Sequence, residues 1–512
     1  MADYIFDAGR RAQEAMQRDV ADAVIIGSGA AGATAARVLS RAGWEVVVLE
    51  EGSPVNHERL RQDTWSGFRD HWRDAGLQAA EGRSFVPILQ GRCVGGTTVI
   101  NGAIIHRLPE PILETWAQPH HFGERLTHDD LSRVFDELDV ALGVAETPEA
   151  ALGANNRLMR AGTERLGWKG NVIRRNVRGC EGSSRCLQAC PTQRKQAMHV
   201  SFLPEAGSLG ARVHAEAEVT RIDVEGGRAL RVHCRSAGRG RGAPGAPLVV
   251  EARRAVLLAA SAIQSPLLLH ASGLAGSSGL CGRRLQGHPG TSVLGLFDTP
   301  VRMWQGATQG YESLHFWPER MKLESIAVPL EVLGARLSGF GPGLWRQLEQ
   351  APYLAQWGVQ IRAHTHGSVH RRWLSGGAKV RFSLRPEDVR LLQTGVRRLA
   401  EMMFAAGAKA VFPGVYGLPE VLTSPDQAAA IEDLTPDPRR FHCIMAHLFG
   451  TAVAGPDPST SVTTQDGRVH GVSNLWVVDS STFPTNIGVN PQHVICAMSQ
   501  RSAEHIRDAA PL

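Results

Sequence analysis

Apolar runs alternate with amphipathic segments along most of this chain, which is the pattern of a protein that contains both strands and helices. Residues 22–52 read as an apolar strand, a helix and a second apolar strand that ends at Glu50. Residues 475–479 predict another buried strand, and residues 491–508 predict a final helix. The order strand–helix–strand indicates an α/β fold with a parallel sheet.

The middle of the chain has a different pattern. Residues 212–259 predict a series of strands, and residues 386–407 predict an amphipathic helix. Residues 236–247, between these strands, predict a Gly/Pro/Arg-rich surface loop. At the start of the chain, residues 4–18 predict a short amphipathic helix. The aromatic residues concentrate in the middle, whereas both ends carry the strand and helix patterns of an α/β unit. We therefore expect two interleaved domains.

The first strand of the chain runs directly into the sequence Gly27-Ser28-Gly29-Ala30-Ala31-Gly32. Gly27 permits a tight turn, Gly29 lets backbone N–H groups approach a pyrophosphate, and Gly32 lets the helix pack closely on the strand. Glu50, at the end of the second strand, is placed to bind ribose hydroxyls. A Gly-rich strand–helix turn without a ligand is the alternative, but the full spacing favours a dinucleotide site.

Composition narrows the class of protein. The 512 residues are 43% hydrophobic and 21% charged, with a net charge of +5, and only five of the 55 basic residues are lysines. We find no dense basic stripe, so nucleic acid is not an expected partner. The first residues lack the apolar core of a signal peptide, and no stretch of about 18 uncharged apolar residues predicts a transmembrane helix. A cytoplasmic location is the expectation.

Four further segments carry a family resemblance. They are a second Gly-rich loop in GRCVGGTTVING (91–102), SAIQSPLLLHASGL (261–274), HLFGT (447–451) and VVDSSTFPTNIGVNPQHV (477–494). In this order they resemble the glucose–methanol–choline (GMC) oxidoreductases, which are flavin enzymes that oxidise alcohols. The resemblance extends from about residue 22 to residue 508.

The resemblance implies a Rossmann-like FAD-binding domain interleaved with an α+β substrate domain built on an antiparallel sheet. We expect residues 1–115, 196–297 and 435–512 in the FAD domain, and residues 116–195 and 298–434 in the substrate domain. The residues expected to contact FAD are Gly27, Gly29, Ala30, Gly32, Glu50, Gly95, Gly96, Thr97, Asn101, Val219, Asp479 and Pro491. Some members attach the flavin to a His just before the Asn; Ile100 stands there, so we expect non-covalent FAD.

The resemblance also implies a catalytic pair. Oxidation of an alcohol removes a hydroxyl proton and a hydride, and a histidine suits the proton transfer. His447 matches the family's general base, and Asn490 matches the second residue of its pair. Of the other histidines, His288 is expected to be structural, and His493 is expected near Asn490.

Cys180, Cys186 and Cys190 have the spacing C-x5-C-x3-C before Pro191. Three thiolates on one loop suit a [3Fe–4S] cluster. The spacing also resembles the catalytic subunits of sugar and polyol dehydrogenases of this family, in which a cluster feeds a haem or quinone partner. A reduced structural loop is the alternative.

The substrate is expected to be a bulky apolar or aromatic alcohol, if several aromatic residues between 297 and 373 line its cavity. Their other interpretation is ordinary core packing. The candidates are Trp304, Tyr311, Phe316, Trp317, Met321, Phe340, Trp345, Tyr353 and Trp357. The alternatives to an alcohol oxidoreductase are a cluster-containing sugar or polyol dehydrogenase with an electron-acceptor partner, an electron-transfer subunit, a lyase that keeps FAD structurally, and, least supported, an NAD-dependent dehydrogenase.

Overall fold

A computed structural model describes residues 3–7, 17–57, 60, 64–123, 126–236, 247–337, 339–373 and 377–509. The strands, numbered along the chain, are β1 (Ile5–Asp7), β2 (Gln17–Ile26), β3 (Val46–Leu49), β4 (Ala79–Glu81), β5 (Val86–Pro87), β6 (Val144–Glu146), β7 (Asn171–Val172), β8 (Arg174–Asn176), β9 (Arg212–Ala215), β10 (Ala217–Glu225), β11 (Arg228–Ser236), β12 (Leu248–Leu258), β13 (Gln286–Leu296), β14 (Tyr311–Ser313), β15 (Met321–Ser325), β16 (Leu354–Ile361), β17 (Ser368–Arg371), β18 (Ala378–Arg381), β19 (Ala410–Phe412), β20 (Ile444–Phe449) and β21 (Leu475–Val477).

The α-helices, numbered in the same way, are α1 (Ala30–Arg41), α2 (Thr64–His71), α3 (Glu110–Trp116), α4 (His128–Leu142), α5 (Glu149–Arg165), α6 (Phe202–Ser208), α7 (Ser261–Ala271), α8 (Leu330–Leu333), α9 (Gly341–Glu349), α10 (Pro386–Ala405), α11 (Pro425–Ala429) and α12 (Gln492–Ala509). Short 3₁₀ turns lie at Gly96–Val99, Cys186–Gln188 and Ser480–Thr482, among other places.

One large sheet has the strand order β1-β9-β3-β2-β12-β11-β10, with β21 beside the C-terminal part of β12. Within this sheet, β1, β9, β3, β2, β12 and β21 run parallel to one another. The last two strands, β11 and β10, continue from β12 as antiparallel neighbours. β3 is buried along its whole length, as expected for a parallel strand that helices cover. Ser499 of α12 donates to the carbonyl of Ala31 (2.7 Å), which joins the last helix to the first.

A second large sheet is antiparallel, with the order β19-β13-β16-β15-β14-β7 and β20 beside β13. Helix α10 packs on this sheet through apolar side chains that include Val396 and Leu399. Gly395 of that helix leaves the room that the side chain of Val359 fills. The two smaller sheets are β17-β18-β4-β5 and β6-β8.

The structure confirms most predicted elements and changes a few. The strands expected in 212–259 and the helices expected at 386–407 and 491–508 are present. The helix expected over 4–18 is wrong where the structure describes the segment, because β1 and the start of β2 lie there. Residues 237–246 of the predicted loop lie outside the described residues. β13 and β20 pair in the antiparallel sheet, and the division of the chain into an FAD domain and a substrate domain stays a prediction.

Candidate active site

A single cavity of about 1050 Å³ is lined by residues of both large sheets. It is roomy compared with the ~300–1,000 Å³ of ordinary small-molecule sites. The candidate residues that line it are Gly27, Gly29, Ala30, Glu50, Gly96, Thr97, Asn101, Val219, Asp479, Pro491, His447 and Asn490. Gly32 and Gly95 are not among the lining residues. Segments far apart in the sequence therefore converge on one site.

The two Gly-rich loops face each other at this cavity. A methyl group built on Gly96 would lie 2.9 Å from the Cα of Gly29, so the loop that carries Gly96 leaves no space for a side chain there. A methyl group on Gly29 would lie 4.0 Å from the Cα of Gly96, at ordinary contact distance. Gly32 lies behind the loop, where a Cβ would collide with the carbonyl of Gly27. Backbone that is free of side chains is what a Gly-rich loop offers to a pyrophosphate, so the cofactor-binding role of these two loops stays a prediction.

Glu50 and Ser28 join these loops. One oxygen of Glu50 accepts from the backbone N–H of Gly52 (2.7 Å), and the other accepts from the N–H and hydroxyl of Ser28 (3.1 and 2.6 Å). The Ser28 hydroxyl in turn accepts from the N–H of Gly95 (2.9 Å). Burial raises the pKa of Glu50 despite these donors. Gly95 therefore acts through the loop's hydrogen bonds rather than as part of the cavity wall.

Asp479 is held by four donors. Its carboxylate accepts from the N–H of Ser261 (2.9 Å), the hydroxyl of Ser265 (2.5 Å), and the N–H and hydroxyl of Ser481 (2.9 and 2.6 Å). These bonds fix the start of α7 and the turn after β21 beside the cavity. Asn101 is fixed in a similar way, because its Nδ2 donates to Gln492 (2.5 Å) and its Oδ1 accepts from the N–H of Ala103 (3.0 Å).

His447 lies on β20 and lines the cavity. Burial, with the nearby Lys322 and His106, lowers its pKa to about 3. The imidazole is therefore neutral over the whole physiological pH range. A neutral imidazole is the form that can exchange a proton with a hydroxyl group.

His288 orients His447. The N–H of Gly488 donates to Nε2 of His288 (2.9 Å), so the proton of a neutral His288 lies on Nδ1. That nitrogen is 3.2 Å from Nδ1 of His447. Burial, with the neighbouring His447, Lys322 and Arg362, lowers the pKa of His288 well below its ordinary value. The side-chain amide of Gln360 also lies 3.2 Å from Nδ1 of His288. When His288 donates to His447, Nδ1 of His447 accepts, and the proton of a neutral His447 lies on Nε2.

A group of charged residues near Asn490 was missed at the sequence level. Lys322 is wholly buried on β15 and contacts Asn490, Glu312 and Glu324. One signal was available: Lys322 is one of only five lysines in an arginine-rich chain. His493, expected near Asn490, is buried and lies 3.0 Å from the carboxylate of Asp139.

The expectation that the eight candidate aromatic residues and Met321 line the cavity is wrong, because none of the nine side chains is part of its wall. Tyr311, Phe316, Met321 and Trp357 are buried in the core of the antiparallel sheet, whereas Phe340 is 89% exposed. Strand alternation accounts for Trp357 on β16, because its neighbours Gln356 and Gly358 line the cavity while Trp357 points the other way. The residues that do form this part of the wall are Thr291, Ser292, Gln309, Glu324, Ile326, Val328, Val332, Arg336, Gln356, Val359 and Gln360.

Two buried cations, Arg175 and Lys195, contact the loop that carries Cys180, Cys186 and Cys190. The buried guanidinium of Arg175 lies 3.5 Å from the sulfur of Cys180 and 2.9 Å from that of Cys186. Lys195 donates to the carbonyl of Cys186 (2.8 Å). Cys190 lies apart, with its sulfur 3.6 Å from the hydroxyl of Thr192. Arg175 and Lys195 lower the pKa of Cys186, although burial alone would raise it.

This arrangement does not fit iron ions, because a guanidinium stands between two of the sulfurs. Across the part of the chain that the structure describes, no group of three His, Cys, Asp or Glu side chains is placed to hold a metal ion. The [3Fe–4S] cluster therefore stays a prediction from the sequence. Lys195 also connects the cysteine loop to the second Gly-rich loop, because it donates to the carbonyls of Val99 and Asn101 (2.7 and 2.9 Å).

The sheet, the paired Gly loops and the neutral histidine in one cavity define a dinucleotide-dependent oxidoreductase. The residues present fit FAD, because the cradle between Gly29 and Gly96 continues into the space beside Asn101, Asn490 and His447. Among the described residues, no helix is long and apolar enough to cross a membrane.

Comparison with known proteins agrees with this class. The N-terminal GMC oxidoreductase model matches residues 21–290, and the C-terminal GMC oxidoreductase model matches residues 373–499. The chain therefore belongs to the GMC oxidoreductase family, and it is an FAD-dependent alcohol oxidoreductase.

Three relatives and one solved structure illustrate the similarity. An uncharacterized GMC-type oxidoreductase of Mycobacterium tuberculosis is 36% identical over 94% of this chain and 75% of its own. A long-chain-alcohol oxidase of Arabidopsis thaliana is 25% identical over 92% of this chain and 66% of its own. The paromamine 6'-oxidase of Streptomyces fradiae is 26% identical over 95% of this chain and 91% of its own. A formate oxidase of Aspergillus oryzae has the same fold, with a TM-score of 0.73, 15% identity, and coverage of 97% and 99%.

Proposed function

We propose that this protein oxidises the alcohol group of a polar, hydroxyl-bearing substrate to a carbonyl, with His447 and Asn490 at the reacting hydroxyl. The observation that carries the proposal is that both side chains line the same cavity as the two Gly loops. The test is anaerobic mixing of the FAD-loaded protein with alcohols of different classes, followed by the flavin absorbance. Bleaching by an alcohol supports the proposal; failure of every alcohol would instead favour a lyase.

We propose that FAD is held without a covalent bond. Gly29 and Gly96 would cradle its pyrophosphate, Glu50 and Val219 would lie at the adenosine end, and Asn101 would lie at the flavin end. When bound, the cofactor accepts the hydride from the alcohol carbon. Ile100 stands at the position of covalent attachment in some family members and offers no nucleophile. Release of free flavin on acid precipitation is expected, and flavin retained in the pellet would contradict this.

The role of His447 has two candidate forms. As the general base, which the family resemblance implies, it needs an unprotonated Nε2, and therefore its own proton on Nδ1. The contact with His288 favours the opposite tautomer, with the proton on Nε2. In that form His447 would donate to the substrate oxygen and stabilise the developing alkoxide. The general base is our first proposal, and a glutamine variant separates the two roles.

The substrate class follows from the wall of the cavity. Thr291, Gln309, Glu324, Gln356 and Gln360 give it hydrogen-bonding groups. Apolar residues that include Val328 and Val332 complete it, so a substrate with both hydroxyl and hydrocarbon parts fits best. The names of two relatives, a paromamine oxidase and a long-chain-alcohol oxidase, mark the two ends of this range.

A panel of sugars, amino sugars, polyols, and aromatic and long-chain alcohols tests the substrate class. At equal concentrations, we expect polyols and sugars to reduce the flavin faster than hydrocarbon alcohols do. A preference for unsubstituted long-chain or aromatic alcohols would contradict the proposal and restore the expectation from the aromatic residues.

A second candidate function is a sugar or polyol dehydrogenase that passes electrons to a haem or quinone partner. The polar wall favours its substrate class. Its electron transfer depends on a cluster in the loop that carries Cys180, Cys186 and Cys190. Iron and labile-sulfide assays on anaerobically purified protein test it. Absence of both would leave oxygen or a small soluble molecule as the proposed electron acceptor.

A further inference from the structure

Lys322 is a fully buried cation beside the proposed substrate site. Its ammonium group donates to Oδ1 of Asn490 (2.5 Å) and to Oε2 of Glu324 (2.9 Å), and it lies 2.8 Å from Oε2 of Glu312. An ammonium group has three N–H donors and accepts nothing. All three donors therefore have acceptors, and the group has no freedom to turn to another partner.

The surrounding carboxylates keep this lysine charged. Burial alone would lower the pKa of Lys322, but Glu312 and Glu324 raise it above its ordinary value. Burial alone would raise the pKa of Glu312, but Lys322 and His106 lower it far below the usual range. Glu312 also accepts from Nδ2 of Asn171 (3.0 Å) and lies 3.0 Å from His106. The lysine is thus part of a rigid, hydrogen-bonded ion group.

This group decides which way the Asn490 amide points. Because Lys322 only donates, the atom of Asn490 that faces it has to be the carbonyl oxygen. The NH₂ group is then on the other branch of the amide. Asn490 lines the cavity, so its N–H donors are the groups left for a ligand there. The assignment rests on the chemistry of lysine and does not require the amide oxygen and nitrogen to be told apart by shape.

We propose that Lys322 is a positioning residue that holds the Asn490 amide with its N–H toward the substrate oxygen; this inference rests on the proposed function. A freely rotating amide would also present its carbonyl oxygen to the developing alkoxide, which would repel it. A donor held in place before the reaction costs no reorganisation while negative charge develops. Lys322 contacts neither substrate nor cofactor in this proposal and acts only through Asn490.

The experiment is a double-mutant cycle with the charge kept in balance. Lys322→Met removes a positive charge, and Glu312→Gln removes a negative one, so the pair of substitutions keeps the net charge of the ion group. Four FAD-loaded proteins are compared: wild type, E312Q/K322M, N490A and E312Q/K322M/N490A. Glu312→Gln alone is the matched control, because it shows the effect of losing that carboxylate while Lys322 still donates to Asn490. Flavin content and thermal unfolding verify that each variant is folded.

Stopped-flow flavin reduction gives a limiting rate and a substrate dissociation constant for each protein. With Asn490 present, the paired substitution should lower the limiting rate about 10- to 100-fold and change the dissociation constant less than about threefold. In the N490A background the same substitution should change the rate less than about threefold. An equal loss in both backgrounds, or no loss in the first, would overturn the inference.

Acetate binding supplies a measurement that needs no turnover. Acetate presents oxygens to the same donors, and its binding is followed by the change in flavin absorbance. The paired substitution should weaken acetate binding about fivefold with Asn490 present and leave it unchanged in N490A. If no alcohol reduces the wild-type flavin, the proposed function fails, and acetate alone decides the role of Lys322. No acetate binding to wild type, or equal weakening in both backgrounds, would count against the inference.

Discussion

At the scale of single residues, the surroundings of His447 decide its chemistry more than its sequence motif does. His288 faces one ring nitrogen, and burial keeps the ring neutral. His447→Ala should lower the rate of flavin reduction about 10²- to 10⁴-fold, whichever role the histidine has. His447→Gln separates the roles, because an amide can donate a hydrogen bond but cannot take the proton.

If His447 is the general base, the Gln variant should be as slow as the Ala variant, when both are measured by anaerobic stopped flow with full flavin content. A Gln variant within about tenfold of wild type would identify His447 as a hydrogen-bond donor instead. Unchanged turnover in the Ala variant would remove His447 from the mechanism altogether.

The general-base role proposed for His447 also predicts how the reaction depends on pH. The pKa of His447 is lowered to about 3, so its neutral form persists on acidification far below the ordinary value for histidine. The rate of flavin reduction should therefore stay constant down to about pH 5 and fall only below it, as the ring becomes protonated. A limiting rate that halves near pH 6.5 would contradict the lowered pKa. His447→Ala should lack this acid limb.

At the scale of elements, the two Gly loops form a cradle only as a pair. A methyl group on Gly29 has no atom nearer than the Cα of Gly96 at 4.0 Å, so it fits the protein but fills the gap between the loops. Gly29→Ala should leave the unfolding temperature of the cofactor-free protein unchanged and weaken FAD binding at least about tenfold. Flavin fluorescence titration measures this.

The matched control is Gly343→Ala, on helix α9, where an added methyl group meets open space. It should leave FAD affinity as in wild type. If Gly29→Ala keeps wild-type affinity, the gap between the loops is not where the pyrophosphate binds. If it unfolds the cofactor-free protein, the variant reports on folding, and the close approach at Gly29 has a structural purpose.

At the scale of the whole molecule, the cavity joins segments from both ends of the chain and from both large sheets. A ligand that binds only the folded state stabilises it by about 2.7 kcal/mol at 100 times its dissociation constant. Removal of FAD should therefore lower the midpoint of urea unfolding, measured by far-ultraviolet circular dichroism at matched protein concentration. A midpoint that is the same with and without FAD would show that FAD does not bind preferentially to the folded protein under those conditions.

The sequence by itself determined the family, the strand–helix–strand unit and the positions that line the cofactor end of the cavity. These features depend on neighbours in the chain: Gly29 and Glu50 belong to one local unit, and its spacing follows from the geometry of that unit. His447 and Asn490 were found because they lie in recognisable motifs. That they line one cavity is a finding of the structure.

Only the tertiary structure decided which side chains face the substrate. The aromatic residues of 297–373 do not line the cavity, because Tyr311, Phe316 and Trp357 are buried in the core and Phe340 and Trp345 face solvent; Glu324 and Gln356 form the wall instead. The contact of Lys322 with Asn490 joins residues 168 positions apart. No local pattern specifies such a contact, because it forms only when two sheets pack and a buried charge has to find its partners.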